Sequence, residues 1–213
     1  MHVLSESNTG LKVSGTVFNL LRDAYDKRQH ARAKSFFRCV ELRYEYMTPE
    51  QKHELNHVLN SKEGHDLLAS YVDVITQTSS DRVRMAIALI YCNDPDFQLN
   101  QQQIKRFVSA CTGMNDELLD FFLFAVAIKP MRISSPYNIC SITEGQTPYS
   151  YELDGELVYL YTNELISRGL LLPDTLSMIP GNNDSWSVRY GVSPYSVMVE
   201  RLFNKAHELL AIA

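Results

Sequence analysis

Leu118-Leu119-Asp120-Phe121-Phe122-Leu123-Phe124-Ala125-Val126-Ala127-Ile128 is the stretch whose reading decides the fold. Ten of its eleven residues are apolar. A bilayer span needs about 20 such residues, so this stretch is too short to cross a membrane. A helix that is apolar on every side must be enclosed by other elements, and a central helix wrapped by amphipathic ones is the expected arrangement. The stretch therefore predicts a mainly α protein, an antiparallel helical bundle around a central apolar helix. Asn115–Ile128 is expected to be buried on all sides.

The sequence on either side fits that expectation. Leu11–Met47 has helical periodicity, with Val17, Leu20, Leu21, Ala24 and Tyr25 in one stripe and Phe36, Phe37, Val40, Tyr44 and Met47 continuing it. It reads as one long helix, or as two joined near Gln29–His30. Met1–Gly10 is polar and expected to be loose. Thr48-Pro49-Glu50-Gln51 starts a helix with a capping box and a proline at the first helical position. Ser61, Ser80, Asn100 and Asn115 are expected to start four more. Five consecutive helices with short turns between Thr48 and Ile128 are the signature of a bundle occupying residues 11–128. Residues 129–150 carry Pro130, Pro136, Gly145 and Pro148 and read as a linker or structured loop.

Residues 151–213 change character. Asp154–Arg168 reads as a helix with Leu157, Leu160, Tyr161, Leu165 and Ile166 inward, and Gly169 suits its C-terminal cap. Leu170–Leu172 and Leu176–Ile179 are expected to be extended, Gly181–Asp184 to turn, and Trp186–Val192 to form a strand. Ser193-Pro194 opens a last helix through Ala211.

Composition limits the function. Lys and Arg number 20 against 25 Asp and Glu, a net charge of −5, which argues against a dominant electrostatic hold on nucleic acid. The charge is uneven. Residues 1–47 hold 8 Lys and Arg against 5 Asp and Glu, whereas residues 151–213 hold 4 against 8. Cys39, Cys92, Cys111 and Cys140 are too widely spaced for a zinc knuckle or a redox pair. Met1–Gly10 lacks the basic start and apolar run of a secretory leader, so a reducing, bacterial cytoplasm is the expected setting.

Three features bear on chemistry. His53-Glu54-Leu55-Asn56-His57 places two imidazoles four residues apart, so one helix face could hold a zinc ion while Glu54 activates its water. The string resembles the zincin metalloprotease signature. The resemblance covers five residues. It implies His53 and His57 as metal ligands and Glu54 as the catalytic base, with His65, Glu117 or Asp120 as a third ligand. The metzincin extension is missing, because positions 60 and 63 are Asn and Glu. Leu55, Val58 and Leu59 would face inward, which leaves the histidines on a solvated face. That surface reading is preferred, with no cofactor.

The second feature is the run Lys27, Arg28, His30, Arg32, Lys34 and Arg38. These cations could follow a phosphate backbone or meet an acidic protein. Their spacing is read as spreading around the helix. The third is Leu165-Ile166-Ser167-Arg168-Gly169-Leu170-Leu171 followed by Trp186–Val192 and Ser193-Pro194. This order resembles the end of a winged-helix domain, a recognition helix followed by a two-stranded wing. The resemblance implies an α+β module over residues 151–213. A winged helix that reads DNA needs basic residues on that helix. Here it carries Asp154, Glu156 and Glu164 against Arg168, so protein contact is the expected use. The overall order also resembles small helical proteins of bacterial mobile-element and phage-defence neighbourhoods.

The expectation is thus a non-catalytic interaction or regulatory protein whose partner is another protein, with no membrane. A nucleic-acid-binding regulator and a zinc hydrolase stand as alternatives.

Overall fold

A computed structural model describes the backbone of residues 6–132, 134–145, 155–174 and 186–212, with side chains described from residue 19 onward. Among these residues the chain forms α1 (Glu6–Glu45), α2 (Pro49–Leu59), α3 (Lys62–Ser70), α4 (Val72–Gln77), α5 (Asp81–Tyr91), α6 (Gln101–Cys111), α7 (Asp116–Ala127), β1 (Asn138–Thr143), α8 (Gly155–Ser167), β2 (Leu172–Pro173), β3 (Ser187–Val192) and α9 (Pro194–Ile212). The protein is mainly helical with a small antiparallel sheet in its C-terminal part. The extended segment expected at Leu176–Ile179 and the turn at Gly181–Asp184 lie outside the described residues.

Helix starts follow local chemistry. Thr48 Oγ1 accepts from the Gln51 amide and Gln51 Oε1 accepts from the Thr48 amide, closing a capping box. Asn100 and Gln103 repeat the arrangement on α6. Ser61, Ser80, Asn115 and Ser193 each accept one orphan amide at the start of α3, α5, α7 and α9. At the end of α8, Gly169 takes φ +72°. The Leu170 amide donates to Leu165 O and the Gly169 amide to Ile166 O, both at 2.9 Å. This is the 6→1 and 5→2 pair of a Schellman cap.

α1 is one helix of 40 residues, about 60 Å long. Residues 6–10, expected to be loose, are helical, and residues 1–5 lie outside the described residues. The helix expected from Ser61 to Ile75 is two, α3 and α4, with the break at Tyr71. The Tyr71 ring is buried edge-on against Tyr91, centroids 6.4 Å apart. Turning the chain there buries Val74 and Ile75 and leaves Val72 exposed.

The enclosed helix is α5, not α7. Every residue from Val83 to Tyr91 is buried, and α1, α4, α6 and α9 all pack on α5. α7 buries Leu118, Leu119, Phe121, Phe122 and Ala125, but Leu123, Phe124 and Val126 are half-buried and Ala127 is exposed. The reason lies in Arg84. It looks polar in a sequence, yet its guanidinium folds back to donate to Thr78 O at 2.9 Å and to Asp81 Oδ1 at 2.6 Å, so it enters the core already paired.

β1, β3 and β2 form one antiparallel sheet in the order β1-β3-β2. Cys140 lies opposite Tyr190 and Ile142 opposite Val188. β1 falls within the segment expected to be a linker or loop. The sheet is fastened to the end of α7, where Tyr190 Oη donates to Ala125 O at 2.8 Å and Cys140 Sγ to Ile128 O at 3.4 Å. These bonds satisfy carbonyls that a helix end leaves orphaned. Among the described residues, a continuous cluster of buried side chains runs from Phe36 of α1 to Ala206 of α9. Phe203 of α9 packs on Phe107 of α6 and Phe122 of α7, so the last helix belongs to the bundle although it follows the sheet.

A buried ion cluster joins distant segments. Asp94, at the turn after α5, lies 2.7 Å from Arg43 of α1 and 2.7 Å from Lys205 of α9. Asp94 and Arg43 are both out of solvent. Removing one member of a buried pair leaves the other charge uncompensated, which costs about 3–5 kcal/mol. We expect Asp94→Ala to lower stability by about that amount, and Asp96→Ala, at the exposed edge, by less than about 1 kcal/mol. Equal urea midpoints for the two variants would contradict this assignment.

Candidate functional site: an acidic–apolar helix face and a basic helix face

α8 is anchored at both ends. At its start, a Cβ on Gly155 would lie 2.7 Å from the Trp186 ring, so only glycine lets the indole close over the first turn. At its end, Arg168 donates to Ala110 O and Thr112 O, each at 2.8 Å, and to Glu164. Arg106 of α6 lies 4.1 Å over the Tyr195 ring and donates to Gly169 O. Phe121 and Tyr161 pack with centroids 5.4 Å apart.

The buried face of α8 is Val158, Thr162 and Leu165, at i, i+4 and i+7. Leu160, expected inward, therefore points outward. Tyr159 is 51% exposed and Leu160 53%. Glu156, Asn163 and Ser167 are exposed beside them. α8 contains no lysine or arginine, and Arg168 is held by backbone carbonyls. The outward face is thus apolar at its centre and acidic at its N-terminal end.

The second face lies on α1. Residues 19–28 are all exposed, with Leu20 at 64%, Leu21 at 65% and Tyr25 at 62%. Leu20, Leu21 and Tyr25 of the stripe expected there are thus open to solvent, and the stripe is buried at Phe36. Lys27, Arg28, Lys34 and Arg38 are exposed, and so is His30. Lys27, Lys34 and Arg38 stand at i, i+7 and i+11, close to one edge of the helix, so the cations are less spread than their spacing suggests. An open trough of about 980 Å³ runs along this edge, with Ser35 and Arg84 at its walls.

Arg32 differs from the other cations. Its Nη1 donates to Thr76 O at 2.5 Å and Gln77 O at 3.3 Å, so it completes the C-terminal end of α4. Burial lowers its pKa, helped by the neighbouring Arg84 and Arg28. Arg84 is fixed by Asp81, and Ser35 Oγ donates to the same Asp81 oxygen at 2.5 Å. Burial opposes ionisation of Asp81, but the bonds from Ser35 and Arg84 outweigh it and hold the carboxyl below its ordinary value of 3.8.

The histidine string lies on α2 with Leu55 as its inward residue. His53, Glu54 and His57 are exposed. The third-ligand candidates are engaged elsewhere. His65 Nε2 lies 2.9 Å from Leu59 O, and a carbonyl only accepts, so that nitrogen carries its proton. Glu117 accepts from Tyr161 and Asp120 from Arg82. Cys92 lines the shallow cleft beside the pair, but burial pushes its thiol up to about 12. Among the described residues, no group of three or more His, Cys, Asp or Glu comes close enough to share a metal ion. Burial likewise raises Cys39, to about 11, and Cys111. Such thiols behave as small core residues, not nucleophiles. No described helix is long and apolar enough to cross a membrane.

No family model, curated protein or solved structure matches this chain.

Two outcomes follow for the arginine cluster. Arg32→Ala should cost about 1–2 kcal/mol by leaving the α4 carbonyls unpaired, and Lys34→Ala should stay within about 0.5 kcal/mol; urea unfolding distinguishes them. The folded Asp81 carboxyl holds its proton less tightly than the unfolded one. Its contribution to stability is present above 3.8 and lost as pH falls through the lower folded value. Asp81→Asn should therefore flatten the acid limb of stability that lies below about pH 5. An unchanged limb would exclude that pairing.

Proposed function

We propose that this protein works by binding another protein, without chemistry of its own, and that the outward face of α8 is its contact surface. The carrying observation is the exposure of Tyr159 and Leu160 on a helix that holds Glu156 and no cation. Aromatic and aliphatic side chains at the centre of a face, with polar residues around them, are the composition of an interaction patch.

The order β1, α8, β2, β3, with the sheet arranged β1-β3-β2, supports a winged-helix-like reading of this part. The position of a recognition helix then belongs to α8. Phosphate and base readout would require cations there, and the face offers a carboxylate and two hydrophobes. The anchoring of α8 by Trp186, Arg106 and Arg168 supports a preformed surface, which binds without an ordering cost. The exposed histidine pair and the structural use of Arg32 give less support to the zinc and nucleic-acid alternatives.

A photo-crosslinking residue placed at position 160 of the full chain, in cell extract, tests this reading. We expect a protein adduct from position 160 that is absent from a control at exposed Glu63. Tyr159→Ala should weaken its capture by about tenfold and leave the melting temperature unchanged. Adducts with nucleic acid alone, or equal adducts from both positions, would overturn the proposal.

A further inference from the structure

The two exposed helix faces complement each other in shape and charge. On α1, successive residues turn by about 100°, so Leu20, Leu21, Ala24, Tyr25, Lys27 and Arg28 share one broad face. That face is apolar in its N-terminal part and cationic just beyond it. On α8, Glu156, Tyr159, Leu160 and Asn163 share one face. That face is acidic in its N-terminal part and apolar just beyond it. The large apolar side chains of both faces, Leu20, Leu21 and Tyr25 on α1 and Tyr159 and Leu160 on α8, are each more than half exposed.

We propose that the occupant of each face is a second copy of this chain, with α8 of one copy lying antiparallel on α1 of the next. The inference rests on the reading of α8 as the contact surface and names its partner. Charge sets the direction. With the helices antiparallel, Glu156 comes beside Lys27 and Arg28, while Tyr159 and Leu160 come beside Ala24 and Tyr25. With the helices parallel, Glu156 falls among Leu20 and Leu21, and the cations face Asn163 and Glu164, whose carboxylate is already paired with Arg168. Residues 1–47 carry net positive charge, whereas residues 48–100 and 151–213 each hold 4 Lys and Arg against 8 Asp and Glu, so the segment that contains α8 is one that the cationic helix attracts.

Two different surfaces meet, so the association is heterologous. It adds copies one after another unless the rotation closes a ring. One helix face against another buries less than the about 1,200 Å² of a standard interface, which makes the contact weak and concentration-dependent.

Sedimentation of the full chain, from low concentration to about 200 µM, provides the test. The weight-average mass should rise above the 24.4 kDa of one chain. Two variants separate the faces. Leu21→Asp with Tyr25→Asp spoils α1, and Tyr159→Asp with Leu160→Asp spoils α8; all four positions are exposed, and circular dichroism verifies that each variant folds. Each variant alone should remain at the mass of one chain. Mixed in equal amounts, they should form a pair and stop at two copies, because one variant keeps α8 and the other keeps α1. Wild-type protein that stays monomeric at 200 µM overturns the inference, and a foreign protein crosslinked from position 160 would still uphold the reading of α8. Wild-type assembly with either variant still assembling alone, or with a mixture that fails to pair, also overturns it.

Discussion

From Val83 to Tyr91, α5 has no side that faces water, so the charged groups it carries or adjoins are paired inside the protein, while the buried Tyr91 hydroxyl has no hydrogen-bond partner. The helix begins and ends in ionic clusters for this reason. At its start, Thr78 Oγ1 donates to Met114 O and Ser80 Oγ to Asp116, while Arg82 reaches Asp116 and Asp120. These bonds fix α7 beside α5. Arg84 and Ser35 converge on Asp81 and fix α1. At its end, Asp94 draws in Arg43 and Lys205 and fixes α1 and α9. Hydrophobic burial holds the helix in the centre, and charge pairing orients the neighbours around it.

The C-terminal part inherits its position from that arrangement. α9 reaches α5 only if the chain returns past the sheet, and Phe203 fills the space between α6 and α7. Tyr190 and Cys140 then meet the carbonyls at the end of α7, and Arg168 meets those at the end of α6. The sheet and α8 are thus bonded to two helix ends of the bundle. A helix held in this way presents its outer side chains in fixed positions, which is what a binding surface requires.

Local signals in the sequence led to correct elements where the physics is local. The caps at Thr48, Ser61, Ser80, Asn100 and Asn115 depend on residues within one turn, and so does the glycine that ends α8. What was not legible depends on long-range partners. Arg84 reads as a surface residue until Thr78 O and Asp81 are seen around it, so α7 outranks α5 on apolar content alone. Asp94, Arg43 and Lys205 are far apart in the chain, and no spacing rule connects them. Leu160 looks inward because α8 carries apolar residues on more than one side, and only the packing of Val158, Thr162 and Leu165 selects the face. β1 alternates poorly, since both Ile139 and Cys140 are buried, and the prolines near it read as loop.

The contrast between the two halves of α1 bears on what the exposed faces are for. From Phe36 onward the helix is held by α5 and by the ion pair at Arg43. Before that, Leu20, Leu21 and Tyr25 are each more than half exposed to water. Apolar side chains in water contribute nothing to folding, since the driving force comes only from their removal from solvent. A polar sequence would keep the same helix at less risk of nonspecific association. The cations that follow offset part of that risk, because they repel a like surface and admit an acidic one. Placed one to two turns from the apolar group, they give the face a direction as well as a sign. On the proposed reading, a partner would match both the apolar patch and the charge beside it, and selectivity would arise from the mismatch imposed on every other surface.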